Sequence, residues 1–185
     1  FIDSIGVEIG DSNYVLGSIE ASSHTLDGNI LVLDRPACCV REYTPEGEFV
    51  GQYGRKGNGP GEVMNPLSMT RLTDGNIIVL DMQTGGLHTF DPQGEWLGVT
   101  AEMISEPILW ITPSEGNTFV GTHNTFHIED EQMYVTAVVG KYASDSVDPI
   151  LTIWENTFPF DFQDFTLLIN ESYFATVFTS DREGN

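Results

Sequence analysis

The chain has 185 residues, 40% of them hydrophobic, and carries 7 Lys and Arg against 28 Asp and Glu, a formal net charge of −21. This composition is that of a folded domain with a sizeable core and excludes a disordered chain. The charge argues against nucleic acid and anionic membrane surfaces as partners, because both need neutralising Lys and Arg, and no apolar run is long enough for a membrane span.

The dominant feature of the sequence is an internal repeat. Residues 27–34 read Asp-Gly-Asn-Ile-Leu-Val-Leu-Asp and residues 74–81 read Asp-Gly-Asn-Ile-Ile-Val-Leu-Asp, so the offset is 74 − 27 = 47 residues. The same offset places Tyr43 on Phe90. A long repeat without a gap is typical of stacked supersecondary units.

Each of these two units predicts short strands joined by turns. The Asp-Gly-Asn triplet predicts a tight turn, because Gly and Asn tolerate positive φ. The runs that follow it, residues 30–33 and 77–80, are apolar at every position, which indicates strands covered on both faces. A further strand, a Pro-x-Gly-Glu turn and an outer strand (49–53 or 96–100) complete each unit. The pattern predicts an all-β fold of stacked four-stranded sheets.

The third unit is less regular, and a fourth is incomplete. Residues 108–112 predict the innermost strand of the third unit, and residues 173–179 predict the first strand of the fourth. Glu-Gly-Asn at 183–185 stands where Asp-Gly-Asn stands in the first two units. Because the chain stops before the expected most buried strand, we expect it to be part of a longer protein. The rest of the third unit is predicted as a turn and strand at 116–120, strands at 133–139 and 150–154, and an acidic loop around 143–148.

The segment between the first two units has a distinctive pattern of glycine, proline and asparagine. It reads Gly54-Arg55-Lys56-Gly57-Asn58-Gly59-Pro60-Gly61-Glu62, then Asn65-Pro66, then Asp74-Gly75-Asn76. This pattern resembles the blade-to-blade signature of the NHL-type, six-bladed β-propeller family, and residues 5–17 are similar to the start of its bacterial extracytoplasmic members. The resemblance implies a β-propeller of four-stranded antiparallel blades, of which this chain covers about three to four of an expected six.

The repeat and the resemblance together predict one domain over residues 1–185, a truncated propeller. Its blades are expected at approximately 15–54, 64–101, 106–155 and 163–185, the last of them incomplete. The remaining blades are expected after residue 185, on another chain, or on copies of this chain. The fold hosts scaffolds, receptors and enzymes alike, so it does not choose an activity.

Two motifs admit both a ligand-binding and a structural interpretation. Residues 57–61 could cradle a phosphate, but they lack the Gly-Lys-Ser/Thr ending of a phosphate-binding loop and no long helix follows. Asp27 and Asn29, like Asp74 and Asn76, have the spacing that begins a calcium-binding loop, but the rest of that loop is absent. We favour turns as the explanation of both motifs.

Several charged residues are expected to have structural roles. Asp34 and Asp81 follow the doubly covered strands, where members of the resembled family often tie the next loop by hydrogen bonds. Arg55 and Lys56 form an adjacent basic pair, which we expect to be solvated or paired with nearby carboxylates.

The four histidines, His24, His88, His123 and His127, give no assignable metal site. His123 and His127, four residues apart, are expected to share a face on a helix but not on a strand. Enzymes of this fold, such as lactonases and amidating lyases, place metal-ligating residues on the central channel, and the sequence assigns no histidine there. We therefore assign no catalytic, cofactor-binding or metal-binding residue. We expect no cofactor, and calcium is the alternative.

The cysteines, a sequon and the tryptophans leave alternatives open. Cys38 and Cys39 are two ordinary strand thiols, a strained ring, or a bond to another chain. Residues 170–172, Asn-Glu-Ser, form a glycosylation sequon that matters only in a secreted, eukaryotic-type setting. For the tryptophans, blade packing is favoured over a carbohydrate-binding platform. They are Trp96, Trp110 and Trp154.

A strong blade pattern without accompanying catalytic residues favours a non-enzymatic binding or scaffold module. We expect it to bind a protein, peptide or small ligand across one propeller face, in an extracytoplasmic setting (periplasmic, secreted or cell-surface). One alternative is a metal-dependent propeller hydrolase or lyase whose ligands lie partly in the remaining blades. The other is a structural subunit, a homo-oligomer or filament that completes its sheets with a neighbouring copy, since an open sheet edge readily pairs with another strand.

Overall fold

The computed structural model of the chain describes residues 5–100, 108–146 and 148–160. Every regular element in these residues is a β-strand, and they contain no helix long and apolar enough to cross a membrane. The strands are β1 (Ile19–His24), β2 (Ile30–Asp34), β3 (Cys39–Tyr43), β4 (Phe49–Tyr53), β5 (Arg55–Lys56), β6 (Glu62–Val63), β7 (Pro66–Arg71), β8 (Ile77–Asp81), β9 (Gly86–Phe90), β10 (Trp96–Thr100), β11 (Ile108–Ser114), β12 (Thr118–Glu129), β13 (Gln132–Ala143) and β14 (Pro149–Pro159).

Three four-stranded antiparallel sheets form the body of the structure. Each is a simple meander, β1-β2-β3-β4, β7-β8-β9-β10 and β11-β12-β13-β14, and a short parallel pair, β5-β6, lies in the connection between the first two. The first strands of the sheets contact one another, β1 against β7 and β7 against β11. The sheets therefore stack as blades with β1, β7 and β11 innermost. The predicted all-β architecture of stacked four-stranded antiparallel blades is confirmed.

The predicted doubly covered strands are β2 and β8, the second strand of each blade. In β8 every residue is buried, and in β2 every residue after Ile30 is buried. Because side chains alternate across a strand, Ile77 and Val79 enter the core shared with the first blade, whereas Ile78 and Leu80 enter the core shared with the third. A strand that packs on both faces cannot alternate apolar and polar residues, which explains the unbroken apolar runs.

The Asp-Gly-Asn turns have the predicted geometry. Gly28 and Gly75 adopt φ of 89° and 93°, in the left-handed region that side chains other than glycine rarely adopt. The equivalent residues thus share a conformation across the 47-residue offset. The repeat in sequence is also a repeat in backbone structure.

The third blade departs from the expected short strands. β12 and β13 have 12 residues each and pair in continuous register from Thr118 with Ala143 to Glu129 with Gln132. Asp130 and Glu131, with φ of 48° and 66°, form the two-residue turn between them. Turns of this kind normally carry Asn or Gly, so these acidic residues gave no turn signal and the sequence pattern underestimated the hairpin. The predicted fourth blade (163–185) and the sequon at 170–172 lie outside the described residues.

Candidate binding groove between the innermost strands

The glycine-rich connection between the first two blades is a closed turn. The carboxylate of Glu62 accepts hydrogen bonds from the Gly59 amide (2.8 Å) and from Arg55 Nε (2.9 Å). A side chain on Gly57 would displace this carboxylate, and the φ of 157° at Gly57 is one that other residues rarely adopt, so this position favours glycine. The Gly59 amide, which could otherwise donate to a phosphate, is therefore already hydrogen bonded to the Glu62 carboxylate. The turn interpretation is supported, and Arg55 is paired as expected.

Asp34 and Asp81 have the expected tying role, and they tie two loops each. Asp81 accepts hydrogen bonds from the amides of Met64 and Asn65, before the blade, and of Gln83, after β8, at 2.9–3.0 Å. Asp34 likewise accepts from the amides of Gly17 and Ala37 at 3.3–3.5 Å. Both side chains are nearly inaccessible to solvent. Each blade is thereby fastened to the segment that leads into it.

The residue that faces each buried aspartate differs between the blades. Arg41 Nη1 donates to Asp34 Oδ2 at 2.9 Å and to the Val15 carbonyl at 2.8 Å. At the equivalent position, 41 + 47 = 88, the second blade has His88, with Nε2 3.9 Å from Asp81 Oδ2. Burial lowers the pKa of His88 from its usual 6.5, and the charge of Asp81 opposes this only in part.

We expect the stability of the protein to fall below pH 6.5 because of His88. Its pKa is lower in the folded protein than in the unfolded chain, so the unfolded chain binds more protons in this range. The contribution of neutral His88 is complete above its unfolded pKa and is lost as the pH falls from 6.5 towards the folded value. Urea unfolding between about pH 7.5 and about pH 5.5 should show a smaller decline in H88Q than in the parent chain. The exposed His24 supplies the control H24Q, and an equal decline in H88Q and the parent would contradict this role.

The Asp-Gly-Asn residues form turn hydrogen bonds. Asp74 Oδ1 accepts from the Asn76 amide at 3.0 Å, and Asp74 Oδ2 accepts from the side-chain amides of Asn76 and Asn117 at 3.1 and 2.8 Å. The side-chain amide of Asn29 donates to Glu42 at 2.6 Å. These oxygens hold turns and link the second blade to the third. The described residues contain no group of three or more His, Cys, Asp or Glu side chains that could hold a metal ion.

The expectation that His123 and His127 cannot share a face of a strand is wrong. Both lie on β12, whose pairing with β13 has no bulge, and residues four apart on a strand point to the same side because the side-chain period is two. His123 is buried and hydrogen bonded to Tyr142, whereas His127 is exposed and stacks on Tyr134. They therefore lie in different environments.

Cys38 and Cys39 are free, buried thiols. Cys39 begins β3, as the first of the three interpretations expects, whereas Cys38 lies in the preceding turn with φ of 55°. The thiol of Cys38 donates to the carbonyls of Arg35 and Met64 at 3.4 and 3.3 Å. Burial raises the pKa of both thiols, which reduces their reactivity.

A groove of about 480 Å³ runs along the innermost strands of the three blades. Its floor and walls come from β1, β7 and β11 and from the adjoining part of β12. Six side chains that line it carry hydroxyl groups, which both donate and accept hydrogen bonds. Ser68 uses its hydroxyl to bridge the blades, because Oγ contacts both the amide and the carbonyl of Ile111. The lining residues are Glu20, Ala21, Ser22, Ser23, Ser68, Met69, Thr70, Trp110, Ile111, Thr112, Pro113, Val120, Gly121 and Thr122.

Two of the groove hydroxyls are buried without a hydrogen-bond partner among the described residues. They belong to Thr70, which is 1% exposed, and Thr122, which is 5% exposed. A buried polar group without a partner costs about 1–3 kcal/mol. Native structures contain few such groups, and each one requires a physical explanation.

The groove carries little charge. The described residues that line it include no Lys, Arg or His. The carboxylate among them, Glu20, lies 3.6 Å from Arg35 Nη1 and accepts a hydrogen bond from Ser18 Oγ at 3.3 Å. Trp110 lines the groove, whereas Trp96 packs against the core between the first two blades, and Trp154 on β14 is 37% exposed. Trp96 thus packs between blades as expected, and Trp110 also borders the groove.

No protein-family model and no curated protein matches this chain. Several solved structures are similar to it. A Bacteroides fragilis NCTC 9343 protein named as exported has a TM-score of 0.54 and 11% identity, over 78% of this chain and 53% of that one. The WD40 repeats of RRP9 have a TM-score of 0.51 and 15% identity, over 75% of this chain and 38% of that one. A catalytically inactive virginiamycin B lyase from Staphylococcus aureus, with quinupristin, has a TM-score of 0.50 and 12% identity, over 78% of this chain and 58% of that one.

This chain has a β-propeller fold. At such identities the likeness extends to the fold alone, and the chain spans between 38% and 58% of the length of these structures. In a propeller the innermost strands surround the central axis, so the groove lies along that axis.

Sequence reasoning missed the lining of this axial groove. The innermost strands β1 and β7 read Ile-Glu-Ala-Ser-Ser-His and Pro-Leu-Ser-Met-Thr-Arg, with neither an apolar run nor a catalytic motif. Ser and Thr are common in turns and loops, so their presence does not indicate a binding site. The lining strands could have been found from their position in the repeat. In a propeller, the strand that precedes each doubly covered strand is the one nearest the axis.

Proposed function

We propose that this propeller is a non-enzymatic binding module whose axial groove holds an uncharged, hydrogen-bonding part of a protein, peptide or small ligand. The observation that carries the proposal is the pair of buried hydroxyls, Thr70 and Thr122, that line the groove without a partner among the described residues. A ligand that hydrogen bonds to them would recover the free energy lost on their burial.

The chemistry of the groove favours an uncharged ligand group. Hydroxyls can satisfy amide, carbonyl and hydroxyl groups of a ligand equally well. The innermost strands each pair on one side only, so their other edges add backbone amides and carbonyls. A lone anion would find no cation among the described lining residues and would meet the field of a chain with a net charge of −21.

The wider setting of the module is part of the same proposal. The connection at 54–66 supports assignment to the NHL-type, six-bladed propellers, with this chain as one propeller domain. An extracytoplasmic location is supported by the fold that the chain shares with the B. fragilis protein named as exported. A protein or peptide partner is supported by the WD40 fold of RRP9, since such propellers present exposed faces on which a partner can bind.

Replacing Thr70 by valine should stabilise the free protein by about 1 kcal/mol while weakening ligand binding. Valine has nearly the same shape and removes a buried hydroxyl without a described partner. The matched control is T136V, because the Thr136 hydroxyl is hydrogen bonded to Thr157 at 2.8 Å and its removal should cost about 1 kcal/mol. Urea unfolding of both variants makes the comparison.

Binding is tested by NMR titration with N-acetyl-trialanine N-methylamide, an uncharged peptide. We expect saturable shifts at Ser68, Thr70 and Thr122, and weaker binding in T70V and T122V. Inorganic phosphate should leave these residues unshifted. Destabilisation of T70V as large as that of T136V, a phosphate response in the groove, or a hydrolytic or lyase activity of the chain would each contradict the proposal.

A further inference from the structure

A second, open pocket lies at the ends of β1 and β7. It has a volume of about 470 Å³ and is lined by His24, Thr25, Leu26 and Arg71. His24 and Arg71 are the last residues of the two strands and are equivalent in the repeat, since 24 + 47 = 71. The ends of the first two innermost strands therefore place a histidine and an arginine at one pocket, and none of the described residues that line it is acidic.

The guanidinium of Arg71 is held in a fixed orientation. Nε donates to the His24 carbonyl at 2.6 Å, and Nη1 donates to the Leu72 carbonyl at 3.0 Å. A guanidinium has five N–H donors, so the others remain available at the pocket. Holding the side chain in advance lowers the entropy cost of binding a ligand.

Arg71 differs from the other arginines that the structure describes. Arg35, Arg41 and Arg55 each lie within 4.0 Å of a carboxylate, whereas no described carboxylate pairs with Arg71. Burial lowers the pKa of Arg71, and no charged group among the described residues offsets this loss of hydration. In a chain with 28 Asp and Glu, this half-buried arginine has no carboxylate partner among the described residues, so its remaining N–H groups can bind an anionic group of a ligand.

We propose that Arg71 binds the carboxylate of a ligand that carries an apolar group beside it. A guanidinium presents paired N–H groups that match the two oxygens of a carboxylate. Leu26, which is 66% exposed at the pocket, provides the apolar contact, and Thr25 adds a hydroxyl. The net charge of −21 disfavours ligands with several negative charges over one with a single charge. This site is distinct from the hydroxyl-lined groove and does not depend on its function.

The site is tested by NMR titration of the Arg71 Nε–H signal with three probes. N-acetyl-leucine represents a small acid, N-acetyl-Ala-Ala-Leu with a free carboxylate represents a peptide terminus, and N-acetyl-leucinamide is the uncharged control. We expect a saturable shift with one or both carboxylates and none with the amide. The carboxylate that binds more tightly shows which source the pocket prefers.

Substitution at Arg71 completes the test. R71Q should weaken carboxylate binding about tenfold or more, because it removes hydrogen bonds to a charged group. Since R71Q and R71K lack the Nε–H signal, binding to the variants is followed through the backbone amide signals of Thr25 and Leu26. R71K keeps the charge without the paired donors and should bind with intermediate affinity. R55Q, at an exposed arginine outside the pocket, should bind as the parent does. If R71Q does not fold, R71K and Leu26→Ser carry the comparison. The proposal is overturned if the Arg71 signal does not respond to either carboxylate, or if the amide binds equally well.

Discussion

Replacing Arg41 by methionine is expected to lower the free energy of unfolding by about 3–5 kcal/mol. The side chains of Arg41 and Asp34 are 9% and 2% exposed and meet at 2.9 Å. Methionine would fill much of the same space, but Asp34 would remain as a buried charge without its cation. The Val15 carbonyl would also lose a donor, which loosens the segment that leads into the first blade. Urea unfolding monitored by tryptophan fluorescence measures the loss.

The matched control for this prediction is R55M. Arg55 also forms an ion pair at 2.9 Å, with Glu62, but its side chain is 71% exposed, so its loss should cost about 1 kcal/mol or less. A second substitution, D34N, in the R41M background should recover part of the stability, because it removes the unpaired charge. Equal effects of R41M and R55M would show that the buried pair does not fasten the blade.

Replacing Phe90 by alanine is expected to destabilise the protein by about 3–5 kcal/mol. Phe90 is 1% exposed and lies in the core between the first and second blades, with Leu31, Leu33 and Val79. Its removal opens a cavity at the surface that holds the two blades together, and a close-packed core relaxes only partly into such a cavity. Differential scanning calorimetry and urea unfolding both measure the loss.

The control for the core substitution is L97A. Leu97 lies on β10 of the same blade but is 56% exposed, so its replacement should change stability by about 0.5 kcal/mol or less. A loss in F90A no greater than that in L97A would mean that the blades do not share this core.

The elements that the sequence predicted best are those in which burial or backbone conformation directly restricts the residue type. The apolar runs of β2 and β8 reflect burial on both faces, and Gly28 and Gly75 mark positive φ, so the second strands and their turns could be placed from the repeat alone. The roles of Asp34 and Asp81, the last residues of these strands, were expected from the resemblance to the propeller family. In each case a single local requirement restricts the residue type.

The parts that could not be predicted depend on which strands become neighbours. In the third blade the position equivalent to Asp34 and Asp81 is His123, which faces the first residue of the innermost strand as they do, so the marker residue was missing. The Thr70 and Thr122 hydroxyls are notable only because the fold buries them. Arg71 is notable only because the fold places no described carboxylate beside it. No pattern within a strand reports such relations between blades.

Methyl NOE spectroscopy tests the stacking of the blades most directly. β2 of the first blade and β8 of the second are separated by 47 residues in the chain but share one core, so Leu33 and Val79 methyls should give cross-peaks to common neighbours such as Met69. Phe119 of the third blade should likewise give cross-peaks to Ile78 or Leu80. Fully assigned spectra without contacts between these strands, or with helical amide contacts at residues 30–34 and 77–81, would contradict the propeller.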